Sequence, residues 1–338
     1  MQIKVLFTIG IILFFSCGSS NESPQKKQNG ISFVAPIYEI DSTPIKILKL
    51  QTENNAVAIM PFGFCYGDNK PSVIYNHNKQ WWGEQPEGVI KCIQLAKAEN
   101  LQILLKPQLW LMGGEYTGNL KFEKEEHWIV FEKTYRNFIL DFAIIAENEK
   151  VETFCIGTEM RSFVLSRPIF WTNLIDTIKT IYNGKLTYAA NWDDFENVPF
   201  WNQLDYIGVD AYFPLSNEKN PTKKTLLDAW EPINKQLKSF SKKLNKQLLF
   251  TEFGYRSMEH SLSKPWESSS KQPVNMKNQQ VGLAAFFETF WTEDYVAGGY
   301  LWKWFDKNEK AGGLKDLGYT PQNKPALKII TKWYSFGR

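Results

Sequence analysis

Apolar residues fall along this chain in short, near-continuous runs, each followed by a longer stretch whose apolar positions recur every three to four residues. The short runs, read as strands, cover residues 31–36, 56–62, 101–110, 152–157, 185–191, 204–212, 246–254 and 298–304. The amphipathic stretches, read as helices, lie near 44–54, 85–99, 125–148, 168–183, 223–243, 277–292 and 324–334, with only a short helix after Asn191. Strands that are apolar on both faces and separated by helices indicate a parallel sheet covered on both sides. Eight such units predict a single-domain α/β fold, the closed (β/α)₈ TIM barrel, over an open doubly wound sheet. The Gly-rich phosphate loop of a dinucleotide-binding fold is missing after the first strand.

The N-terminus breaks this pattern. Lys4, an apolar run from Val5 to Phe15, then Ser16 and Cys17 form the layout of a secretory signal too short to span a membrane, and the Cys directly after the run resembles a bacterial lipobox. Residues 1–16 are therefore expected to be a lipoprotein signal peptide, Cys17 the lipidated residue, residues 17–29 a flexible tether and residues 30–338 the barrel domain. The expected location is an exported, membrane-anchored lipoprotein, periplasmic or at the cell surface. About 310 residues remain, enough for one large core.

The formal net charge is only +3, with signs mixed along the chain, so nothing points to nucleic acid as a partner. Cys65, Cys92 and Cys155 match no metal motif and read as small buried residues, while His77, His127 and His260 show no paired spacing, which leaves a zinc hydrolase poorly supported. Aromatic content changes the picture more: 15% of residues, including 13 Trp, suits an exported protein that stacks on sugar rings.

In a barrel of this kind the site forms where strands end and the following loops begin. The run LLFTEF ends on Glu252, a carboxylate that an apolar core tolerates unpaired only at several kcal/mol. ETFCIGTEM puts Glu159 just past the fourth strand. Lys106 and Gln108 end the third strand, Asn191 and Trp192 the fifth, Asp210 and Tyr212 the sixth, and Trp302 and Trp304 the eighth. Two carboxylates across one barrel mouth, with aromatic walls and no metal ligands, suit glycoside hydrolysis, a chemistry that requires no cofactor. Tyr212 can donate a hydrogen bond that keeps Glu252 charged, leaving Glu159 as proton donor, its pKa raised by burial and by the charge of Glu252. Trp81 and Trp82, in the loop 63–84, and Trp110 are placed to line a sugar cleft.

Plainer roles exist for the same residues. Glu252 can pair with Arg256 or Lys303, Glu159 can stand in a helical first turn capped by Thr158, and Asp210 can be a barrel-lining acid bonded to backbone or to Lys106. Trp302 and Trp304 alternate along one strand and are expected on one face.

GTEM (157–160) and FTEFGY (250–255), with LQILLKP (101–107), LDYIGVDAYFPL (204–215) and GGYLWKW (298–304), resemble glycoside hydrolase family 113, the β-mannanase family of the retaining (β/α)₈ glycosidase clan. The resemblance covers about residues 30–335 and implies Glu159 as acid/base, Glu252 as nucleophile, Tyr212 as the nucleophile's partner and Trp302 as floor of the sugar subsite. Two departures bear on substrate. Thr158 stands where most of the clan has Asn, a feature the family shares, and Gln108 stands where the family usually has His. The activity this implies is internal cleavage of β-1,4 linkages in mannan-type polysaccharide, with retention. The alternatives are a β-glucanase or exo-β-mannosidase of the same clan, decided by the loops 63–84, 109–127 and 255–276, or a glycan-binding lipoprotein without catalysis.

Overall fold

The structure is a computed structural model that describes residues 26–269 and 272–336. The apolar N-terminal run and the candidate lipidation residue Cys17 lie outside the described residues. Eight parallel strands close into a barrel: β1 (Gln28–Phe33), β2 (Ala56–Ile59), β4 (Gln102–Leu105), β6 (Thr153–Thr158), β7 (Lys185–Asn191), β8 (Ile207–Asp210), β9 (Leu248–Phe253) and β10 (Val296–Trp304), which pairs back onto β1.

Two of the expected strands are broken. The runs 56–62 and 101–110 each contain a proline, Pro61 and Pro107, which has no N–H to give to a ladder. Each strand therefore stops before its proline, and the chain resumes beyond it as a separate two-stranded parallel sheet, β3 (Phe62–Cys65) with β5 (Gln108–Leu111), standing above the barrel mouth. The helices α1 (Thr43–Thr52), α2 (Pro86–Ala98), α3 (Glu125–Asn148), α5 (Pro168–Lys179), α6 (Lys223–Leu244), α7 (Met276–Phe290) and α8 (Leu327–Tyr334) follow the expected stretches. An additional short helix, α4 (Arg161–Ser166), follows β6, and after β7 there are only 3₁₀ turns at Phe195–Asn197 and Trp201–Gln203.

The tether boundary also shifts. Gln28 and Asn29, polar enough to read as tether, are buried in β1. Their side chains are satisfied at the barrel floor: the Tyr300 hydroxyl donates to Gln28 (2.6 Å), Trp291 Nε1 donates to Asn29 Oδ1 (2.9 Å), and Asn29 Nδ2 donates to the Tyr334 carbonyl (3.1 Å). Paired polar groups of this kind carry no hydrophobic signal but bury at little cost.

The core has two layers, as barrels require. Inside the barrel lie mostly small residues, Ala56, Ala58, Cys155, Ala189 and Ala297 among them, filled out by Met60, Leu104, Leu249, Tyr206 and Tyr300. The larger aliphatic and aromatic residues lie between strands and helices. Gly30 makes room for the central Tyr300, because a Cβ there would sit 2.3 Å from the ring. Cys65, Cys92 and Cys155 are all buried free thiols. No helix among the described residues is long and apolar enough to cross a membrane.

Candidate active site

Barrel register decides which rim residues face the mouth. On β9, Leu249 points into the barrel and Phe250 outward. The pairing of β8 with β9 then shifts between Val209 and Asp210, so that Thr251 reaches Asp210 (2.7 Å) and Glu252 opens into the cleft above it. On the opposite wall, β6 ends at Thr158 and the backbone turns at Glu159 with φ +51°, a left-handed conformation that few non-glycine residues adopt. That turn is held by the Glu159 N–H on the Ala189 carbonyl (2.8 Å) and the Met160 N–H on the Tyr188 hydroxyl (2.7 Å). Among the described residues the buried Thr158 hydroxyl has no hydrogen-bond partner, and α4 starts at Arg161, so Thr158 does not cap a helix that contains Glu159.

Glu252 receives three donors. Lys106 Nζ lies 2.5 Å from Oε1, Gln108 Nε2 3.2 Å from the same oxygen, and the Tyr212 hydroxyl 2.8 Å from Oε2. Burial and the neighbouring Glu252 charge hold the Tyr212 phenol well above its usual range, so it stays a donor. Lys106 also pairs with Asp210 at 3.4 Å. Burial alone would discharge Lys106, but the two carboxylates outweigh it and raise its pKa.

Asp210 is pushed up to about 7 by burial, with Glu252 adding to the rise and Lys106 and Thr251 opposing it. Glu159 takes no side-chain hydrogen bond among the described residues. Burial first, then the charges of Asp210 and Glu252, hold its carboxyl well above the usual carboxylate range. One wall thus carries a carboxyl group met by three donors, and the other an acid whose surroundings favour its protonated form. A pair of this kind can protonate a leaving oxygen on one side of a bond while supplying an anion on the other.

Of the residues expected at the site, Gln108, Trp110, Glu159, Tyr212, Glu252 and Trp302 line one cleft of about 330 Å³. Phe62, Trp110 and Trp302 are shared with a second, more apolar cavity of about 650 Å³, and Trp81 stands on its wall. The other expected residues lie elsewhere. Lys106 and Asp210 are completely buried, so they cannot touch a sugar and act instead as the counter-charge and support beneath Glu252. Trp82 packs against the core between strands and helices. Asn191 turns to Asp193 (3.0 Å), and Trp192 stacks on Trp266 (5.3 Å between ring centres) beside a separate hollow of about 350 Å³.

Glu252 makes its ion pair with Lys106, not with Arg256 or Lys303. Trp302 and Trp304 do not share a face. The β1–β10 register shifts between Ser32 and Phe33, and while Trp302 floors the cleft, Trp304 is buried in the outer core. The Trp302–Lys303 peptide is cis. Tyr116, Trp266 and Tyr319 also line the cleft. Sequence periodicity does not single them out because they sit in irregular loops, although Tyr116 and Trp266 fall in 109–127 and 255–276, two of the three loops expected to shape the cleft. No group of three or more His, Cys, Asp and Glu placed to hold a metal occurs among the described residues.

The sequence model of Glycoside Hydrolase Family 113 matches residues 38–324. Among solved structures, the fold is similar to the GH113 β-mannanase AaManA from Alicyclobacillus acidocaldarius in complex with ManMIm, with a TM-score of 0.81 and 25% identity, covering 91% of this chain and 97% of that one. A GH113 β-1,4-mannanase complex is similar at TM-score 0.77 and 22% identity, covering 92% of this chain and 99% of that one. The fold also resembles a β-glucuronidase from Ruminococcus gnavus, at TM-score 0.61 and 14% identity, over 91% of this chain and 50% of that one. No curated protein sequence matches the chain.

Proposed function

The chain belongs to glycoside hydrolase family 113, and on that premise we propose that it is a retaining endo-β-1,4-mannanase in which Glu252 is the nucleophile and Glu159 the acid/base. The observation that carries the assignment of roles is the asymmetry of donors: among the described residues, three converge on Glu252 and none on the Glu159 side chain. A carboxylate so held stays ionised and aimed, and a carboxyl buried without donors keeps its proton. Attack by Glu252 on the anomeric carbon forms a glycosyl ester while Glu159 gives its proton to the departing oxygen. Glu159 then takes a proton from water, which cleaves the ester. Retention by this route asks for carboxyl groups about 5–5.5 Å apart.

Mannan as substrate is supported by family membership and by the β-mannanases of like fold. Internal cleavage is supported by the continuity of the cleft with the larger cavity across Trp302, which leaves room for sugars beyond the cleaved unit. The test is proton NMR of the product formed first from a β-1,4-manno-oligosaccharide, with a parallel assay of mannan, glucomannan, cellulose and short mannosides. The β-anomer should appear first, mannan should yield mixed oligosaccharides, and Glu252→Gln should abolish release while binding persists. A first-formed α-anomer overturns retention. Release of only single mannose units favours the exo-acting reading, and wild-type protein that binds without releasing sugar favours a glycan-binding role.

The N-terminal pattern supports export and a lipid anchor at Cys17. Metabolic labelling with an alkyne fatty acid should mark the wild-type chain and not Cys17→Ala.

A further inference from the structure

Lys303 lines the larger cavity directly beside the floor residue Trp302. Its ammonium sits 5.0 Å from the centre of the Trp302 ring and 5.4 Å from that of Phe305, so two aromatic faces hold it in place. It makes no hydrogen bond and no ion pair among the described residues. The acid nearest the reaction, Glu252, is already committed to Lys106, Gln108 and Tyr212. Burial lowers the Lys303 pKa, and the charge of Glu252 only partly opposes that.

The same cavity carries a second lysine and a histidine, Lys79 and His77. Its one acid, Glu84, is buried and pushed up to about 7, so below that pH it faces the cavity largely as a neutral group. A desolvated cation without an acceptor is costly, and a neutral hydroxyl restores its hydrogen bond but not its missing counter-charge.

The position of the cavity says which part of a substrate meets this cation. Glu159 and Glu252 both line the smaller cleft and neither lines the larger cavity, so the cleaved bond lies in the cleft, and the larger cavity, which shares Phe62, Trp110 and Trp302 with it, takes sugars further along the same chain.

We propose that the larger cavity selects substrates carrying a carboxylate on a sugar beyond the cleaved unit, such as a hexuronic acid in a mannose-containing chain, and that Lys303 is the residue that reads the charge. The inference rests on the glycosidase reading above and narrows its substrate class from neutral to acidic chains. Because Glu84 shares the cavity, the preference for the acid should weaken as pH rises through about 7 and Glu84 ionises. It should also weaken with salt, since part of the attraction is screened.

The experiment compares kcat/KM for three kinds of oligosaccharide of equal length: one with a terminal hexuronic acid, placed at either end in turn, its methyl ester, and the neutral β-1,4-manno-oligosaccharide. The ester removes the charge and keeps the shape. Wild type should favour the acid over the ester by about 10- to 100-fold at low salt, the range of one charged hydrogen bond. The ratio should fall to near one in Lys303→Met and be partly kept in Lys303→Arg. Equal rates for acid and ester in wild type overturn the proposal, as does a ratio that survives Lys303→Met. Hydrolysis of the neutral chain with no preference for the acid sinks this inference alone, whereas hydrolysis of none of the three sinks the glycosidase reading beneath it.

Discussion

Lys106→Met tests whether the charge arrangement beneath Glu252 is understood. Lys106 is wholly buried, and its ammonium is the sole cation within 4.0 Å of Glu252 (2.5 Å) or Asp210 (3.4 Å) among the described residues. Methionine fills nearly the same volume, so the change removes charge with little loss of packing. Deleting one partner of a buried ionic set costs about 3–5 kcal/mol, because the remaining charge is left uncompensated.

At about 2.1 cal/mol/K per residue, the 338-residue chain unfolds with an entropy of about 0.7 kcal/mol/K. The variant should therefore melt about 4–7 °C lower at neutral pH. The sign of its pH dependence also follows. Lys106 has a raised pKa and stays charged throughout pH 5–9, so its own titration contributes nothing in that window. Asp210, which titrates at about 7 with Lys106 present, ionises as pH rises, and without the ammonium that ionisation becomes harder. The deficit should be small at pH 5 and largest at pH 9. Thermal denaturation followed by circular dichroism at both pH values checks this. A variant within 1 °C of wild type at pH 9, or a deficit larger at pH 5 than at pH 9, would refute the reasoning.

Three further outcomes follow. Tyr212→Phe removes the 2.8 Å donor to Glu252 Oε2, a hydrogen bond to a charged group worth about 1.5–3 kcal/mol, so kcat/KM should drop about 10- to 100-fold with the fold intact; a change under threefold would show that the bond does not serve the reaction. Glu159→Gln should be increasingly more stable than wild type as pH rises above the ordinary carboxylate range. The raised pKa of Glu159 makes its ionisation a burden on the folded state, fully present once pH passes the folded pKa and absent in the amide; a melting-temperature difference that shrinks with pH would contradict the assignment. Gly208→Ala would put a Cβ 2.1 Å from the Tyr188 carbonyl and 2.6 Å from the Thr187 hydroxyl, costing about 1–3 kcal/mol by overpacking, and an unchanged urea midpoint would argue against that contact.

The barrel was legible because each strand is a run of apolar residues whose period changes when the helix begins. The two cleft carboxylates were legible for a related reason: Glu159 and Glu252 each interrupt such a run at its C-terminal end, where a polar group is otherwise costly. Depth was not legible. Lys106, Gln108 and Asp210 look alike in sequence as polar residues at strand ends, yet only Gln108 reaches the cleft, while Lys106 and Asp210 lie buried below it, Lys106 paired with both Glu252 and Asp210. Strand alternation failed at Trp302 and Trp304 because it assumes an unbroken register, and the β1–β10 pairing shifts alongside them. Tyr116, Trp266 and Tyr319 come from irregular loops, where no period links a residue to a face.

In the reaction proposed above, the charges of the mouth would let one residue, Glu159, serve two steps. Three carboxyls, Glu159, Asp210 and Glu252, share one buried cation, and that cation lies against Glu252 and Asp210. With Glu252 ionised, its negative charge is among the forces that keep Glu159 protonated. Attack on sugar turns Glu252 into a neutral ester and removes that charge from the cavity. Glu159, having just lost its proton to the leaving group, then faces less repulsion as an anion, and its tendency to recapture a proton falls. It can therefore act as a general base toward water until the ester is cleaved and the charge on Glu252 returns. Asp210 enforces the cycle from below. With its own pKa near 7 and its bond to Lys106, it can share the cation more fully while Glu252 is esterified, so the buried ammonium keeps a partner through both steps.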